Sequence, residues 1–201
     1  MKKLPVSFYK RENVIAIAKE LLGKVLVTKW NDVVTSGRIV EVEAYNGVID
    51  KASHAFGGRR TARNEIMYAN GGVAYVYLCY GIHHLFNVVT NNKETPHAIL
   101  IRALEPVKGT NTMLQRAGKK KSDHTLTKGP GNLSKALGLF TKHSGFSLCS
   151  KELFIADDGF VFSKKDIAAS HRIGVNYAGN DALLPYRFFM KENPFVSGKS
   201  K

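Results

Sequence analysis

The sequence predicts an α+β fold, a single compact domain in which a largely antiparallel, curved β-sheet is flanked by helices. Segments with strand character follow one another with few helical segments between them, which is typical of antiparallel sheets. The chain has 201 residues, and 44% of them are hydrophobic, which suits one sizeable core better than two. Neither an internal repeat nor a linker rich in proline or serine divides the chain. We therefore expect one domain over residues 1–201, with residues 197–201 forming a disordered tail.

The N-terminal half begins with a helix and continues with strands. Apolar residues recur at helical spacing between Glu12 and Leu22, and Gly23 is a typical helix stop. Later segments rich in β-branched and aromatic residues have turn residues at their ends, so we predict strands there. These strands cover residues 24–29, 37–45, 74–81 and 85–90, with a turn at Asn31 and Asp32 and a polar loop over 46–62.

The C-terminal half is predicted to contain two helices and three further strands. Residues 98–104 form an apolar strand, and we expect Pro106 to end it because proline cannot donate to a strand ladder. The segment GPGNLSKALGLF, residues 129–140, predicts a glycine-rich turn and a short helix capped by Asn132 or Ser134. The remaining elements are a helix over residues 111–121 and short strands over 153–156 and 186–191.

The charge of the chain indicates a polyanionic partner. Lysine and arginine number 30 against 16 aspartate and glutamate, which gives a formal net charge of +14. The basic clusters could together form a phosphate-binding face, although each cluster alone is typical of solvated surface. A membrane-surface protein would carry a basic amphipathic helix or a lipidation signal. Neither is visible in the sequence, so nucleic acid is favoured over a membrane. The clusters are Lys2/Lys3, Lys10/Arg11, Arg59/Arg60/Arg63, Lys119/Lys120/Lys121 and Lys164/Lys165.

Cysteine and histidine spacing argues against a metal site. Cys79 and Cys149 are too isolated for a zinc site or a disulfide framework, and the adjacent His83 and His84 lack the spacing of metal ligands. We therefore predict no metal and no cofactor. Charged residues soon interrupt a possible signal peptide after MKKLP, and no apolar run approaches the roughly 20 residues that span a bilayer. We expect a soluble, cytoplasmic protein without membrane contact.

Two glutamates on one predicted strand are the strongest indication of a functional site. Alternation along GRIVEVEAY, residues 37–45, divides its side chains between two faces. Glutamate is depleted from strands and rarely buried without a partner, so the pair suggests a cleft, where a carboxylate can act as a general base. An edge strand with its glutamates in water is the alternative. One face carries Ile39, Glu41, Glu43 and Tyr45, and the other carries Val40, Val42 and Ala44.

Three tyrosines lie close together in AYVYLCYG, residues 74–81. Tyr75 and Tyr77 share one face of the predicted strand, whereas Tyr80 lies on the other side, next to Gly81 at a predicted turn. Aromatic rings stack on nucleobases with about 1 to 3 kcal/mol per base, and a protruding ring can wedge between stacked bases. The tyrosines could instead fill the core and edge of the sheet, but the basic charge of the chain favours contact with bases.

Arg102 and His54 are further candidates for the same cleft. Arg102 interrupts the apolar strand AILIRAL, so we expect it to pair with a phosphate or with a carboxylate, either Glu43 or Glu41. His54 follows the glutamate strand in the polar loop and could hydrogen-bond or stack at the cleft, although a lone loop histidine is usually incidental.

Six ordered segments extend over nearly the whole chain: GRIVEVEAY, SHAFGGRRTARN, GGVAYVYLCYGIHHLFNV, ILIRALEP, GPGNLSKAL and RIGVNYAG. In this order they resemble the alkyladenine (3-methyladenine) DNA glycosylases of mammals and many bacteria. The resemblance implies a compact mixed α/β domain that flips damaged purines out of duplex DNA and hydrolyses the N-glycosidic bond. The long N-terminal extension of mammalian members is missing, which suits a bacterial member. The turn after Tyr80 departs from the mammalian pattern by carrying His83 and His84, and this leaves lesion preference and the strength of duplex engagement open.

The resemblance also implies roles in catalysis. Glu43 resembles the general base that activates the attacking water, and Arg102 resembles the arginine that holds this water together with a backbone carbonyl of residues 172–175. The implied substrates are 3-methyladenine and 7-methylguanine, with hypoxanthine and ethenoadenine as further candidates. No lysine can be singled out as a Schiff-base nucleophile, so we predict a monofunctional enzyme that leaves an abasic site uncut.

Five side chains resemble the family's base-binding residues. Tyr45, His54 and Tyr77 resemble those that sandwich the extruded base, and Asn87 resembles the one that obstructs the amino group of guanine. Tyr80 resembles the residue that fills the gap left in the duplex. A positively charged alkylated base would stack strongly on electron-rich rings, which agrees with this assignment.

Two other functions remain open at this point. A non-catalytic nucleic-acid-binding protein could use the tyrosines as a stacking platform, with Glu43 merely orienting Arg102. A hydrolase of free nucleosides is the third possibility, but it would leave the basic surface unexplained. For the favoured glycosylase we expect a monomer that acts on double-stranded DNA containing damaged purines. We expect no obligate protein partner and an association with the nucleoid through DNA.

Overall fold

Residues 1–198 are described by the structure, a computed structural model, and they contain nine strands in one sheet. The path through the sheet is β1-β7-β2-β3-β6-β5-β4, and β9 joins β3 beside β2 and carries β8. Every strand pairing in this sheet is antiparallel, which confirms the predicted α+β class. The strands are β1 (Lys2–Lys3), β2 (Val25–Trp30), β3 (Val33–Tyr45), β4 (Ala74–Cys79), β5 (His83–Thr90), β6 (His97–Lys108), β7 (Leu153–Asp157), β8 (Ile167–Ser170) and β9 (Arg187–Met190).

Four α-helices lie within the described residues: α1 (Val6–Tyr9), α2 (Val14–Leu21), α3 (Thr110–Ala117) and α4 (Pro130–Leu137). Asn13 caps α2 by accepting the Ala16 N–H at 2.9 Å, and Gly23 follows its end with a φ of +81°. None of these helices is long and apolar enough to cross a membrane. The sequence did not predict the short elements α1, β1 and β8.

Two predicted helix boundaries are wrong. Gly129 occupies the N-cap of α4 and Pro130 the first helical position, so neither Asn132 nor Ser134 caps this helix. Proline is preorganised for that position and its missing N–H costs nothing there. The helix predicted over residues 111–121 ends at residue 117, because Gly118 adopts a left-handed conformation that closes the helix.

The predicted end of β6 is also wrong, because the strand continues past Pro106 to Lys108. Pro106 lies opposite Gly37, next to an irregularity in the pairing with β3. On its other edge β6 pairs with β5 only over His97–Leu100, so the ladder does not need an N–H from the proline there.

Two bulges interrupt the pairing of β3 with β6 at the centre of the sheet. Ile39 pairs with Leu104, but the next pairs are Glu41 with Ala103 and Val42 with Ile101, so Val40 and Arg102 are extra residues. Ile39 therefore packs in the main core with Val42 and Ala44, and Val40 joins a smaller cluster with Met190. The prediction that Ile39 shares a face with the glutamates is wrong, because a bulge reverses the alternation.

The two faces of the sheet have different coverings. The main core lies between one face and helices α2, α3 and α4, and it includes Ile17, Met113 and Leu133 from these helices. Residues that alternate with core residues point to the other face, where loops cover them. Tyr75, Val89 and Ala98 belong to this second face, and so do the tyrosines and charged residues described below.

The C-terminal segment differs from the predicted disordered tail. Ser197 is buried, and its backbone N–H donates to Glu41 at 2.6 Å. The prediction is therefore wrong at Ser197, because a buried carboxylate needs donors and this segment supplies them. Residues 199–201 lie outside the described residues.

Candidate active site

The candidate site is a row of side chains that crosses four strands of the loop-covered face. Glu43 on β3 pairs with Leu100 on β6, Leu100 pairs with Asn87 on β5, and Asn87 pairs with Tyr75 on β4. Directly opposed residues of an antiparallel sheet present their side chains on the same face. The register thus brings together residues predicted from separate segments of the sequence.

Glu43 is fully buried and lies among polar partners. Its Oε1 accepts the backbone N–H of Ile173 at 2.7 Å and lies 3.2 Å from Nη1 of Arg102. Its Oε2 accepts the hydroxyl of Tyr45 at 2.9 Å. A carboxylate oxygen has two lone pairs, so Oε2 can accept a further hydrogen bond from a water molecule.

The sequence predicted Glu43 or Glu41 as a partner of Arg102, and in the structure Arg102 pairs with both. Its Nε donates to Glu41 Oε1 at 3.0 Å, while Nη1 faces Glu43. Burial would lower the pKa of Arg102, but the negative charges of Glu43 and Glu41 raise it above the ordinary value. The guanidinium therefore stays charged inside the protein.

Glu41 is fully buried as well, but its oxygens are more heavily occupied. Oε1 accepts Nε of Arg102, Nε of Arg187 at 2.7 Å and the hydroxyl of Ser197 at 3.0 Å. Oε2 accepts the backbone N–H of Ser197. With several donors fixed on it, Glu41 is suited to structural charge pairing rather than to proton transfer.

Next to Glu43, a small cavity opens to solvent and is walled mainly by aromatic rings. Such concave sites with few polar groups are typical of small-ligand pockets. The ring of Tyr45 connects the cavity to the buried carboxylate, since its hydroxyl bonds Glu43. The lining residues are Tyr45, Ala52, His54, Met67, Tyr75, Tyr77, Asn87, Ala98 and Tyr177.

His54 lies in the cavity wall, where its Nδ1 is 2.8 Å from the hydroxyl of Tyr75. Burial, together with the charges of Arg63 and Arg59, lowers the pKa of His54 to about 4. The imidazole is therefore neutral near pH 7 and can stack against a cationic ligand without charge repulsion.

Tyr77 packs between the other rings of the cavity. Its centroid is 4.7 Å from that of His54 and 5.3 Å from that of Tyr75. The guanidinium of Arg63 lies 4.8 Å from the Tyr77 centroid, which is within the range of a cation–π contact. These contacts fix the ring in place and leave it as a preformed wall.

Asn87 is buried at the floor of the cavity and held by the backbone. Its Nδ2 donates to the carbonyls of Tyr75 at 3.2 Å and Leu85 at 3.3 Å. These two bonds restrict its rotation, so it forms a rigid polar boundary to whatever enters.

Tyr80 lies outside the cavity, at the tip of the β4–β5 hairpin. It has a φ of +51° and is 88% exposed, and its neighbour Ile82 is 71% exposed. Large exposed side chains that cluster on one turn form an apolar patch, which is typical of a contact surface. Of the two adjacent histidines, His83 packs against Gly131 at the start of α4, and His84 contacts Phe140.

Sequence reasoning missed Tyr177 as a wall of the cavity. Its hydroxyl donates to the Ala52 carbonyl at 3.1 Å although 125 residues separate them. No local pattern indicated this contact, since it depends on how the chain returns to the sheet.

The partners that hold the loop of Ile173 were missed too. Arg172 forms a buried ion pair with Asp50 at 2.5 Å and donates to the Ala44 carbonyl at 2.9 Å. These bonds fix the segment that donates to Glu43. The sequence placed residues 172–175 at the site only through the family resemblance.

A basic cleft adjoins the cavity and shares His54 and Tyr177 with it. Lys51, Arg59 and Arg63 contribute its positive charges. Arg60, from the same predicted cluster, is instead neutralised by Glu65 and Glu94, each 2.6 Å away. A cationic cleft next to an aromatic cavity is suited to a nucleotide chain whose base enters the cavity.

A basic cleft, an aromatic cavity and a buried carboxylate together are the features expected of an enzyme that acts on nucleic acid. A family model described as Methylpurine-DNA glycosylase (MPG) matches residues 7–194. The chain therefore belongs to the methylpurine-DNA glycosylase family and is a DNA glycosylase, with DNA as its partner.

Relatives of similar length support this membership. One from Chlamydia felis is 46% identical over 188 residues, covering 93% of this chain and 95% of the relative. One from Bacillus cereus strain G9842 is 47% identical over 204 residues, covering 97% and 98% respectively. One from Desulfitobacterium hafniense is 42% identical over 207 residues, covering 99% and 100%. Each bears the name "Putative 3-methyladenine DNA glycosylase".

Proposed function

We propose that the protein removes alkylated purines from double-stranded DNA, with 3-methyladenine and 7-methylguanine as its main substrates. In this reaction water attacks C1′ of the deoxyribose, the N-glycosidic bond breaks, and the free base departs from an abasic site. The observation that carries the proposal is the position of Glu43, sealed beside an aromatic cavity and tied to it through Tyr45. A base inside a duplex cannot reach such a carboxylate unless the nucleotide is rotated out of the stack.

Glu43 is the proposed general base. Its Oε2 has a lone pair left beside the bond from the Tyr45 hydroxyl and would accept the attacking water there, and its negative charge would stabilise the positive sugar that forms as the base departs. Arg102 would orient the carboxylate and the water from the other side, next to the segment of Ile173. This accounts for an arginine on a strand that is otherwise apolar.

Tyr45, His54 and Tyr77 are the proposed stacking partners of the extruded base. Their rings line the cavity, and the neutral state of His54 avoids repulsion of a positively charged alkylated base. Electron-rich rings bind such a base more strongly than a neutral one. Asn87, fixed by two backbone carbonyls, would obstruct the exocyclic amino group of normal guanine.

Hypoxanthine and ethenoadenine are proposed as slower substrates. A neutral base has to gain a proton as it departs, whereas an alkylated base already carries the positive charge. Among the residues that line the cavity, His54 is the one with a pKa near the acidic range, and a pKa of about 4 leaves it unprotonated at neutral pH. The cavity therefore favours lesions that are cationic before they enter.

Tyr80 is proposed to occupy the space left by the flipped nucleotide. The basic cleft reaches the hairpin of Tyr80, because its Arg63 donates to the Leu78 carbonyl on β4. An inserted ring replaces the lost stacking and reduces the cost of extrusion, which is a few kcal/mol. We further propose that the enzyme acts as a monomer on nucleoid DNA and lacks strand-cutting activity.

The decisive experiment compares Glu43→Gln with the wild-type enzyme on duplexes that carry 3-methyladenine, 7-methylguanine, hypoxanthine or ethenoadenine. Base release should fall about 100-fold or more, because general bases contribute roughly 10² to 10⁴ to rate. Affinity for a duplex containing an abasic-site analogue should change little, since glutamine preserves the shape of the side chain. Strand breaks should appear only after alkali.

Glu20→Gln is a matched control, because Glu20 pairs with Arg11 on the helix side of the molecule. It should release bases at the wild-type rate. Undiminished release by Glu43→Gln would remove the assigned role. Tight lesion binding by the wild-type protein without any release would support a non-catalytic binder, and release from free nucleosides alone would support the nucleoside hydrolase.

A further inference from the structure

The proposed catalytic pair, Glu43 and Arg102, belongs to a group of four buried charges that balance. Glu41 and Glu43 are negative, and Arg102 and Arg187 are positive; Glu41 and Glu43 are fully buried, and both arginines are more than nine-tenths buried. Arg187 lies opposite Glu43 in the β3–β9 pairing and donates to Glu41 through Nε. Without Arg187, two buried carboxylates would share one guanidinium, an unfavourable arrangement in a low dielectric.

Arg102 is tied down on the side away from Glu43. Its Nε donates to Glu41 at 3.0 Å and its Nη2 donates to the Ser197 hydroxyl at 3.2 Å. A guanidinium is planar, so fixing two of its nitrogens determines the direction of the third. The third nitrogen, Nη1, then faces Glu43 at 3.2 Å.

The residues after β9 hold Ser197 in this position. We call residues 195–198 the C-terminal strap. Phe195 and Val196 pack against the cluster of Val40, Ala103 and Met190, and the Ser197 carbonyl accepts Nη2 of Arg187 at 2.5 Å. The strap thus has an apolar anchor and a polar contact to the buried charges.

We propose that Ser197, Glu41 and Arg187 are positioning residues for Arg102, so that the C-terminal strap completes the active site. None of the three lines the aromatic cavity in the described structure. The strap should therefore govern the chemical step and leave lesion binding to the cavity and the hairpin. This inference rests on the proposed function, since it assumes that Arg102 assists Glu43.

Ser197→Ala tests the proposal, because it removes the hydroxyl bonds to Arg102 and Glu41 and keeps the backbone N–H bond. The single-turnover rate of 7-methylguanine release should fall roughly tenfold, as expected for a misplaced catalytic group. Affinity for the lesion duplex should stay within about twofold of the wild type. Ser197→Thr, which keeps a hydroxyl, should restore most of the rate.

The profile of the single-turnover rate against enzyme concentration separates positioning from a general loss of structure. A misdirected Arg102 slows the chemical step in every enzyme–DNA complex, so the rate of Ser197→Ala at saturating enzyme should stay below that of the wild type. A simple loss of folded protein would shift the profile to higher enzyme concentration and leave the saturating rate at the wild-type value.

Ser7→Ala, on the exposed surface of α1, is the control and should match the wild type. A wild-type rate and profile for Ser197→Ala would overturn the strap proposal alone, provided that wild-type enzyme releases bases and Glu43→Gln does not. Equal losses in Ser197→Ala and Ser197→Thr, with weakened lesion binding, would also overturn it. Failure of wild-type enzyme to release any base would instead defeat the proposed function, and the strap proposal with it.

Discussion

At the scale of single residues, Glu41 and Glu43 have different surroundings although they lie two positions apart on one strand. Glu41 is surrounded by two arginines and Ser197. In Glu43, by contrast, Oε2 accepts a hydrogen bond from the Tyr45 hydroxyl and from no other group of the described residues. The same residue type thus forms a buried charge anchor at one position and a candidate base at the next. The difference lies in the number of donors around each carboxylate and in the bond of Glu43 to Tyr45 of the cavity wall.

From the lowered pKa of His54 we predict how the free energy of unfolding depends on pH. In the unfolded chain the imidazole protonates near 6.5, but in the folded protein only near 4. Between these values the unfolded state binds more protons, so stability is fully present above pH 6.5 and declines as the pH falls through 4. Urea unfolding at several pH values should show the wild type losing up to about 3 kcal/mol more than His54→Gln between pH 7 and 4.

His171→Gln is the control for this measurement, because His171 is exposed. Its pH dependence should follow that of the wild type. Parallel stability curves for the wild type and His54→Gln would contradict the assignment of a neutral, buried imidazole in the cavity wall.

At the scale of elements, bulges and one hairpin position the site. The paired bulges at Val40 and Arg102 keep both glutamates on the loop-covered face and move Ile39 into the main core. The bulge also lets the side chain of Arg102 reach both glutamates. Irregularities of this kind commonly redirect a side chain near an active site.

From the position of Tyr80 at the tip of the β4–β5 hairpin we predict how it contributes to DNA binding. If the ring inserts into the duplex, Tyr80→Ala should weaken binding to a lesion duplex by about tenfold, which is about 1.4 kcal/mol and lies within the roughly 1 to 3 kcal/mol of base stacking. Binding to single-stranded DNA with the same lesion should weaken less, because there is no gap to fill. Fluorescence anisotropy titrations on the two substrates measure both losses.

Val161→Ala is a matched control, since Val161 is also 88% exposed but lies on the loop after β7. It should leave both affinities unchanged. Equal losses on duplex and single strand for Tyr80→Ala would argue for simple stacking in place of insertion.

At the scale of the whole molecule, the sheet separates packing from chemistry. One face is covered by α2, α3 and α4, and the other carries the cavity, the buried charges and the basic cleft. The formal net charge of +14 suits attraction of DNA in general. Arg59 and Arg63 form no ion pair within residues 1–198, so we expect them to direct the DNA backbone to the cavity.

The salt dependence of DNA affinity tests whether overall charge and the cleft arginines have separate roles. The slope of log affinity against log salt concentration should decrease by about one for Arg59→Gln and likewise for Arg63→Gln, since each removes one phosphate contact. Arg11→Gln should leave the slope unchanged, because Arg11 is paired with Glu20 at 2.8 Å. An equal effect of all three substitutions would indicate that only overall charge matters and that the cleft has no particular role.

The local sequence pattern by itself determined several strands of this protein and part of its candidate site. Alternation and turn residues predicted β2, β3, β4 and β5, the shared face of Glu41 and Glu43, the exposed turn at Tyr80 and the pairing of Arg102 with a carboxylate. These features depend on residues close in sequence or on a charge that must find a partner, so the sequence expresses them directly.

Only the tertiary structure decided the bulges, the anchoring of Arg102 by Ser197, and the cavity wall at Tyr177. The sequence resemblance named Glu43 and Arg102, but it did not reveal that the C-terminal strap lies behind them. Ser197 is 156 residues from Glu41, and Arg172 is 122 residues from Asp50. No local periodicity encodes such contacts, because they depend on the path of the folded chain and on the need of buried charges for partners.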